Sequence, residues 1–314
     1  MVFRERMTNM PKFIWKINSL MMFDIKVQHK NFYKGISQVG LKEYMRLKKI
    51  IPAELKENKD FKYNVSIVAI AKNEGIYFKE WIEYHKLIGI EHFYIYNNDS
   101  TDNTKEVLAP YIKSGLVTFI DFPGKERQGP AYNDAIKQYK DETRWLCPLD
   151  LDEFIFLKRH NNISNFMESF KDCFQVSLQW MYFGSSGHIN EPKGLVIENF
   201  TKHAKDCSET PKSIFNPRVA IDVMPVHYAI GVGKWVNEHH KLYGKKYTID
   251  IAQVNHYFIK SKEEFVNRKI ARGCTCLRET IEDAEKKFAQ FDLNDVDDNL
   301  MQKYVDKLKT VMTD

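Results

Sequence analysis

A chain of 314 residues with 43% hydrophobic content is long enough to bury a full core, in one large domain or two, and is ordinary for a soluble globular protein. No run reaches the roughly 20 apolar residues that a membrane-spanning helix needs. Residues 1–60 hold 13 Lys/Arg and 6 Asp/Glu, a balance of +7 within a chain total of +5, so residues 61–314 sum to −2; no nucleic-acid-binding motif accompanies the charge, and a nucleic-acid partner is not expected.

The basic arm, residues 1–60, also carries Phe13, Ile14, Trp15, Leu20, Met21, Met22 and Phe23. Cations mixed with large apolar side chains suit adsorption to an anionic membrane face, and equally suit an arm that packs on the body. The first residues lack the continuous apolar stretch and small-residue cleavage site of a signal peptide. The five cysteines are odd in number, and Cys147 lies inside an apolar run, as expected in a reducing, cytoplasmic compartment. Cys274 and Cys276 have no cysteine or histidine cluster at zinc spacing beside them and are assigned no metal. The expected location is the cytoplasm, with the arm at the inner face of the plasma membrane.

From about residue 62 strands and helices alternate. Val65–Ala71 predicts a central parallel strand. Ile76–Gly89 predicts a helix, with Phe78, Trp81, Ile82, His85 and Ile88 at helical spacing and Gly89 as its stop. His92–Tyr96 is a second strand, and Asp102–Lys113 a helix capped by Ser100 or Thr101. Leu116–Phe122 (strand), Pro130–Lys140 (helix) and Arg144–Leu149 (strand) complete a βαβαβαβ order. Such an order implies a parallel sheet covered on both faces, with ligands bound outside the carboxyl ends of its strands. The loops at those ends are Ala71–Gly75, Asn97–Asp102, Phe122–Gly129 and Asp150–Glu153. A further strand is predicted at Ile249–Val254, and helices at Glu279–Gln290 and Val296–Leu308. There is no internal repeat.

The last of these loops carries the most information. The apolar run Trp145–Leu149 stops at Asp150, Leu151, Asp152 and Glu153. On extended backbone the acids at i and i+2 point to one side, so both can reach one hard cation. Magnesium or manganese is held by one or two carboxylates, with phosphate oxygens and water completing the shell. Asp-x-Asp at a strand end therefore suggests a site for a metal-bound nucleoside diphosphate; a turn with solvated acids is the plain alternative. The run Asn97–Asp102 offers six small hydrogen-bonding side chains that suit a base, a ribose or a helix cap. Lys125, Arg127 and Gln128 lie on the loop before the helix that holds Tyr132.

The blocks VSIVAIAKNEGIYFKEWIEYHKLIGIEHFYIYNNDSTDNT, GPAYNDAI and WLCPLDLDEFIFL resemble the donor half of GT-A glycosyltransferases, in the family-2-like group that includes glycosyltransferase family 92. Trp180–His188 (WMYFGSSGH), Lys212–Val219 (KSIFNPRV), Val226-His227 and His256–Gly273 (HYFIKSKEEFVNRKIARG) extend the resemblance to about residues 63–273. It implies an α/β GT-A (Rossmann-like) fold: a mostly parallel sheet flanked by helices, with an added N-terminal arm (1–60) and C-terminal helices (276–314). The catalytic domain would span 61–275, with a donor half at about 61–157 and an acceptor half at about 158–275. The resemblance implies Mn2+ or Mg2+ held by Asp150, Asp152 and a later histidine, His256 first and His227 second. It places Asn73, Asn98 and Asp99 at the nucleoside; the common family-2 pattern has two acids and a Gly where this chain has Asn97-Asn98-Asp99. Lys125, Lys212, Arg218, Arg268 and Arg272 are candidates for the diphosphate, Arg218 because a guanidinium matches phosphate geometry. Trp180 and His188 fall beside the acceptor. The catalytic base of an inverting reaction is sought among Glu191, Asp222 and Glu238.

The expected function is metal-dependent, inverting transfer of a hexose from a nucleotide-diphosphate donor, a UDP-sugar, to a glycan or lipid-linked glycan acceptor. Surface polysaccharide synthesis, lipopolysaccharide or capsule, is the expected setting. Two alternatives stay open. A nucleotidyltransferase can use a similar sheet, although the loop after the first strand has only Gly75. A non-catalytic sugar-nucleotide-binding or scaffold protein is the other, and the intact Asp150 and Asp152 argue against it.

Overall fold

The computed structural model describes residues 28, 30–49, 60–223, 226–244, 247–269 and 281–313. A helix over 30–49 (α1) precedes the alternating unit β1 (Tyr63–Ala71), α2 (Gly75–Leu87), β2 (His92–Asn97), α3 (Thr104–Lys113), β3 (Val117–Asp121), α4 (Gln128–Tyr139) and β4 (Thr143–Pro148). β5 (Glu153–Leu157), α5 (Ile163–Glu168), β6 (Gln175–Tyr182), α6 (Val196–Asn199), β7 (Lys202–His203) and β8 (Pro211–Phe215) follow. Then come β9 (Ala220–Asp222), β10 (Ile230–Gly231), β11 (Trp235–Asn237), β12 (Ala252–His256) and α7 (Lys262–Glu264), which runs on as a π-helical stretch to Lys269. α8 (Ile281–Phe291), β13 (Val296–Asp297), a 3-10 turn at Leu300–Tyr304 and α9 (Val305–Thr313) end the described chain.

A nine-stranded sheet organises the molecule, in the order β3-β2-β1-β4-β8-β6-β12-β5 with β11 added on β6. The β3-β2-β1-β4 half is parallel, as the βαβ crossovers require. β8 then runs antiparallel to β4 and β6, and β5 antiparallel to β12. The result is a mixed, mostly parallel α/β sheet, and its reversal at β8 brings a strand of the second half against β4.

Alternation along the central strands explains the two covering layers. In β1, Val65, Ile67 and Ala69 join Phe78, Trp81 and Ile82 of α2 in one core, while Val68 joins Tyr132 and Ala135 of α4 on the other face. β4 divides the same way, with Trp145 and Cys147 on the first side and Leu146 on the second.

Several boundaries differ from the sequence reading. α3 begins at Thr104, whose N–H is capped by the Asp102 carboxylate at 3.1 Å, while the Ser100 hydroxyl accepts from the Asn73 N–H instead. β12 includes His256, which the sequence placed just after a strand. The helix expected over Val296–Leu308 is three pieces: β13 pairs antiparallel with β7, and the Asp298 carboxylate then caps Leu300 before the 3-10 turn and α9. The part of the arm over 30–49 packs on the body: Tyr44 and Leu47 are buried against Val232, and the Asn31 amide exchanges two hydrogen bonds with the Gly231 backbone. Phe13, Trp15 and the Leu20–Phe23 cluster, with Cys274 and Cys276, lie outside the described residues. No helix of the described residues is long and apolar enough to cross a membrane.

Candidate active site

β4 ends at Pro148, and the next ladder bond, Leu149 N–H to Val68 O at 3.0 Å, carries the chain to the sheet's edge. There Asp150 and Glu153 close a tight turn, with Glu153 N–H donating to Asp150 O at 3.1 Å and Asp150 N–H to Glu153 Oε2 at 2.9 Å. Lys212 reaches the turn from β8. Its ammonium lies 2.9 Å from Asp150 Oδ2 and 3.2 Å from Glu153 Oε2, with the Lys212 and Glu153 side chains fully buried. Asp150 Oδ1 accepts from Gln128 Nε2 at 2.9 Å and from Tyr132 OH at 3.0 Å, both on α4.

The charge states follow from this arrangement. Burial works to raise the Asp150 pKa, but the Lys212 charge and hydrogen bond outweigh it and hold the carboxyl below its usual value. Burial drives Glu153 well up, and the Asp150 and Asp152 charges add to the rise against Lys212. Lys212 is held well above its usual value, since its two acid partners overcome the burial that opposes its charge. One ammonium thus faces one firm carboxylate and one acid that favours its proton, which keeps the buried cluster near neutrality.

Asp152 is separate from that cluster. Its Oδ1 lies 3.4 Å from His256 Nε2, at the end of β12. The two are held by backbone pairing: Glu153 is opposite His256 in the β5–β12 ladder, and Tyr257 N–H donates to Asp152 O at 2.8 Å. The His256 ring is set between Tyr182, stacked at 5.1 Å and 27°, and Trp180 at 4.4 Å. A carboxylate oxygen beside an imidazole nitrogen is a donor pair that a divalent ion such as Mn2+ would accept. Asp152 and His256 therefore fit a shared divalent ion. Asp150 has both carboxylate oxygens engaged by Gln128, Tyr132 and Lys212.

Gln128, Asp150, Asp152, Trp180, Tyr182 and His256 line a cleft of about 720 Å³ outside the carboxyl ends of β1 and β4. Asn98 and Lys125 line it too; Asn98 Nδ2 donates to Phe122 O at 3.1 Å and Gly124 O at 2.8 Å, so it holds the loop that carries Lys125 and Arg127. Arg127 is stacked on Phe122 at 4.1 Å. His227 forms the far wall, with its pKa lowered to about 4 by burial and by the Lys212 charge. From the C-terminal side α8 contributes Lys287 and Phe291, which the sequence reading did not anticipate; Ala284 and Phe288 anchor that helix on Ile259 and Phe265.

Other candidates lie elsewhere. Asn73 and Asp99 have left-handed backbone, φ 53° and 56°, and tie loops together: Asn73 Oδ1 accepts from Thr101 N–H at 2.7 Å, and Asp99 Oδ2 from Gly124 N–H at 3.0 Å. Arg218 is buried at the opposite end of β4, donating to Thr143 O at 3.1 Å and stacked on Phe61 at 4.3 Å, so it cannot meet a diphosphate at Asp150. Lys212 is committed to Asp150 and Glu153 beneath the cleft. Asp222 accepts from Asn133 and Gln38 away from the cleft, and Glu238 is buried under three backbone N–H groups of Asp250, Ile251 and Ala252. Glu191 is exposed and borders a second depression beside α6. His188 Nε2 donates to Asn199 O at 3.2 Å, outside the cleft that Trp180 lines. Arg268 lies in the π-helical stretch, and its side chain, like all of Arg272, lies outside the described residues.

Among curated proteins, a glycosyltransferase family 92 protein of Oryza sativa subsp. japonica is 24% identical over 221 residues, covering 68% of this chain and 36% of its own length. A galactan beta-1,4-galactosyltransferase of Arabidopsis thaliana is 32% identical over 117 residues, 34% of this chain and 22% of its own. The chain spans about a third, or less, of the length of the curated relatives it matches. Among solved structures, S. aureus TarS (residues 1–349) is similar at a TM-score of 0.37 and 14% identity, covering 73% of this chain and 70% of that one. The sequence profile of glycosyltransferase family 92 matches residues 63–304, well over half of the chain, and the chain belongs to that family.

Proposed function

We propose that the protein transfers a hexose from a UDP-sugar to a glycan acceptor, with a divalent cation between Asp152 and His256. The observation that carries this reading is the 3.4 Å pairing of Asp152 with His256 in a cleft that also holds Lys125, Arg127 and Lys287. Such a mix of one cation-binding pair and several cationic side chains suits a diphosphate leaving group, whose charge must be offset as it departs. A bound Mn2+ or Mg2+ would supply Lewis-acid neutralisation of that charge. In the reaction the bond from the sugar's anomeric carbon to the diphosphate oxygen breaks, a bond to the acceptor hydroxyl oxygen forms, and the hydroxyl proton leaves to a base. Of the acids that line the cleft, Asp150 has both oxygens engaged and Asp152 is given to the cation, so Glu74 and Glu126 take the place of Glu191, Asp222 and Glu238 as where to seek that base.

The names of the Arabidopsis relatives make galactose the first sugar to try and a β-1,4-linked galactan the first acceptor. Synthesis of a surface polysaccharide in the cytoplasm, with residues 1–24 adsorbed to an anionic membrane, is part of the same proposal. It rests on the +7 balance of residues 1–60 and the apolar residues among them. Flotation with anionic and neutral vesicles tests it: salt-sensitive binding to the anionic ones alone, lost without residues 1–24, is expected, and equal binding to both refutes it.

The decisive experiment is UDP release from UDP-galactose, UDP-glucose and UDP-N-acetylglucosamine, with Mn2+ and with excess chelator. Release that depends on Mn2+ and on a glycan acceptor is expected. Release of sugar 1-phosphate instead, or release of pyrophosphate from UTP and a sugar 1-phosphate, would make the protein a nucleotidyltransferase, and binding of UDP-sugars without turnover would make it a binding protein.

A further inference from the structure

A second hollow, of about 320 Å³, lies on the far side of His227, which lines both it and the main cleft. Its wall is a run of aromatic rings from one stretch of chain. Tyr228 packs on Trp235 at 4.7 Å, Trp235 stacks on Tyr243 at 4.6 Å and 8°, and Tyr247 stands next to Tyr243 at 6.2 Å. Trp235 and Tyr243 are buried and fixed, the indole N–H donating to Ser177 Oγ at 2.8 Å. Tyr228 and Tyr247 are half-buried and complete the surface. Polar groups rim it: Lys30 and Lys34 from α1, and Glu209 from the segment before β8.

We infer that this hollow is a binding subsite for a hexose oligosaccharide, the acceptor arm of the site; the inference rests on the glycosyl-transfer reading above. A pyranose has one apolar C–H face and a ring of hydroxyls, so it needs flat aromatic surface bordered by donors and acceptors of both signs. The hollow offers that combination, at a volume near the lower end of small-molecule sites, about 300 Å³. Rigid aromatic walls also cost little conformational entropy on binding. Continuity through His227 gives the arrangement its sense, since an acceptor lying along Tyr247 and Tyr228 would present its end to the cleft beside Trp180. The His227 Nδ1 is buried and, among the described residues, has no hydrogen-bond partner, which suits a hydroxyl arriving there.

The test uses the full chain. Quenching of tryptophan fluorescence by β-1,4-linked galactotetraose, without donor, should show binding to the wild type. Tyr228→Ala and Tyr247→Ala should each weaken it about tenfold and raise the acceptor KM by a similar factor, the loss expected for one stacked ring. UDP affinity and slow UDP release to water should stay unchanged. Tyr228→Phe and Tyr247→Phe, which keep the ring, should stay within about threefold of wild type. If Tyr228→Ala fails to fold because Trp235 loses its neighbour, Tyr247→Ala at the rim carries the comparison. Absence of tetraose binding to the wild type, wild-type binding by a folded Tyr247→Ala, or quenching displaced by UDP would each overturn the subsite. Tetraose binding that depends on Tyr247 in a protein that turns over no UDP-sugar would uphold it and refute the transfer reaction instead.

Discussion

Lys212 and Asp150 meet at 2.9 Å beneath the cleft floor, Lys212 on β8 and Asp150 in the turn that follows β4, because β8 lies antiparallel beside β4. Removing the ammonium leaves the Asp150 carboxylate buried without its counter-charge. Lys212→Met should therefore destabilise the protein by about 3–5 kcal/mol, the range for breaking a buried ion pair from one side. Adding Asp150→Asn to that variant should recover part of the loss. Urea unfolding at pH 7 measures both, and a Lys212→Met protein as stable as wild type contradicts the role assigned to the lysine.

Asp152 and His256 should act as a pair toward a divalent ion. Asp152→Asn and His256→Gln are each expected to remove the Mn2+-dependent part of UDP binding in calorimetry while leaving the metal-free melting temperature close to wild type. Undiminished Mn2+-dependent binding in Asp152→Asn would refute the cation site.

His85 gives a pH dependence. Its Nδ1 lies 2.8 Å from Trp81 O, and its Nε2 accepts from Ile155 N–H at 3.3 Å, so the ring is held neutral; burial pushes its pKa down to about 3. The unfolded chain takes up a proton at about 6.5 that the native state refuses, so the contribution of His85 is complete above that pH and is lost as the pH falls toward 3. Between pH 7 and 5 this amounts to about 2 kcal/mol from the unfolded-state proton alone. A His85→Leu variant should lose less stability than wild type over that interval, whatever its stability at pH 7. Parallel pH profiles for the two proteins would show that the histidine is not responsible.

Removal of the C-terminal extension should affect both stability and the donor. Phe288 and Ala284 bury α8 on Ile259 and Phe265, and Phe291 and Lys287 line the cleft. Phe288→Ala should cost about 3 kcal/mol. Deleting 277–314 should lower the melting temperature and weaken UDP binding, whereas Lys287→Ala should weaken UDP binding without moving the melting temperature. A deletion protein with wild-type stability and UDP affinity would rule this out.

The parallel half of the sheet was legible because β1 and β4 are apolar on both faces and their loops carry the polar residues. Asp150, Asp152 and His256 were legible as candidates because acids at i and i+2 and a histidine at a strand end are local patterns. The fate of the remaining charged residues depends on distant contacts that no local pattern encodes. Arg218 looked suited to phosphate, but it stacks on Phe61 and closes the base of β4. Glu238 looked like a base, yet it serves as a cap for three N–H groups at the entry to β12. Lys212 is one residue in a short apolar strand, and its burial between two acids follows from the β4–β8–β6 order alone. Lys287 and Phe291 read only as two residues of an amphipathic helix, whose docking beside the cleft is a tertiary event.

Because β5 and β12 are hydrogen-bonded neighbours, the spacing of Asp152 and His256 is set by the ladder and not by the length of chain that joins them, residues 158–251. Loops in that span can lengthen, shorten or be exchanged without moving the pair. A one-residue slip of β12, by contrast, would turn His256 to the opposite face of the sheet. The fold thereby separates two kinds of change: the connections between β5 and β12 can be remodelled, while the Asp152–His256 spacing tolerates no insertion within two short strands.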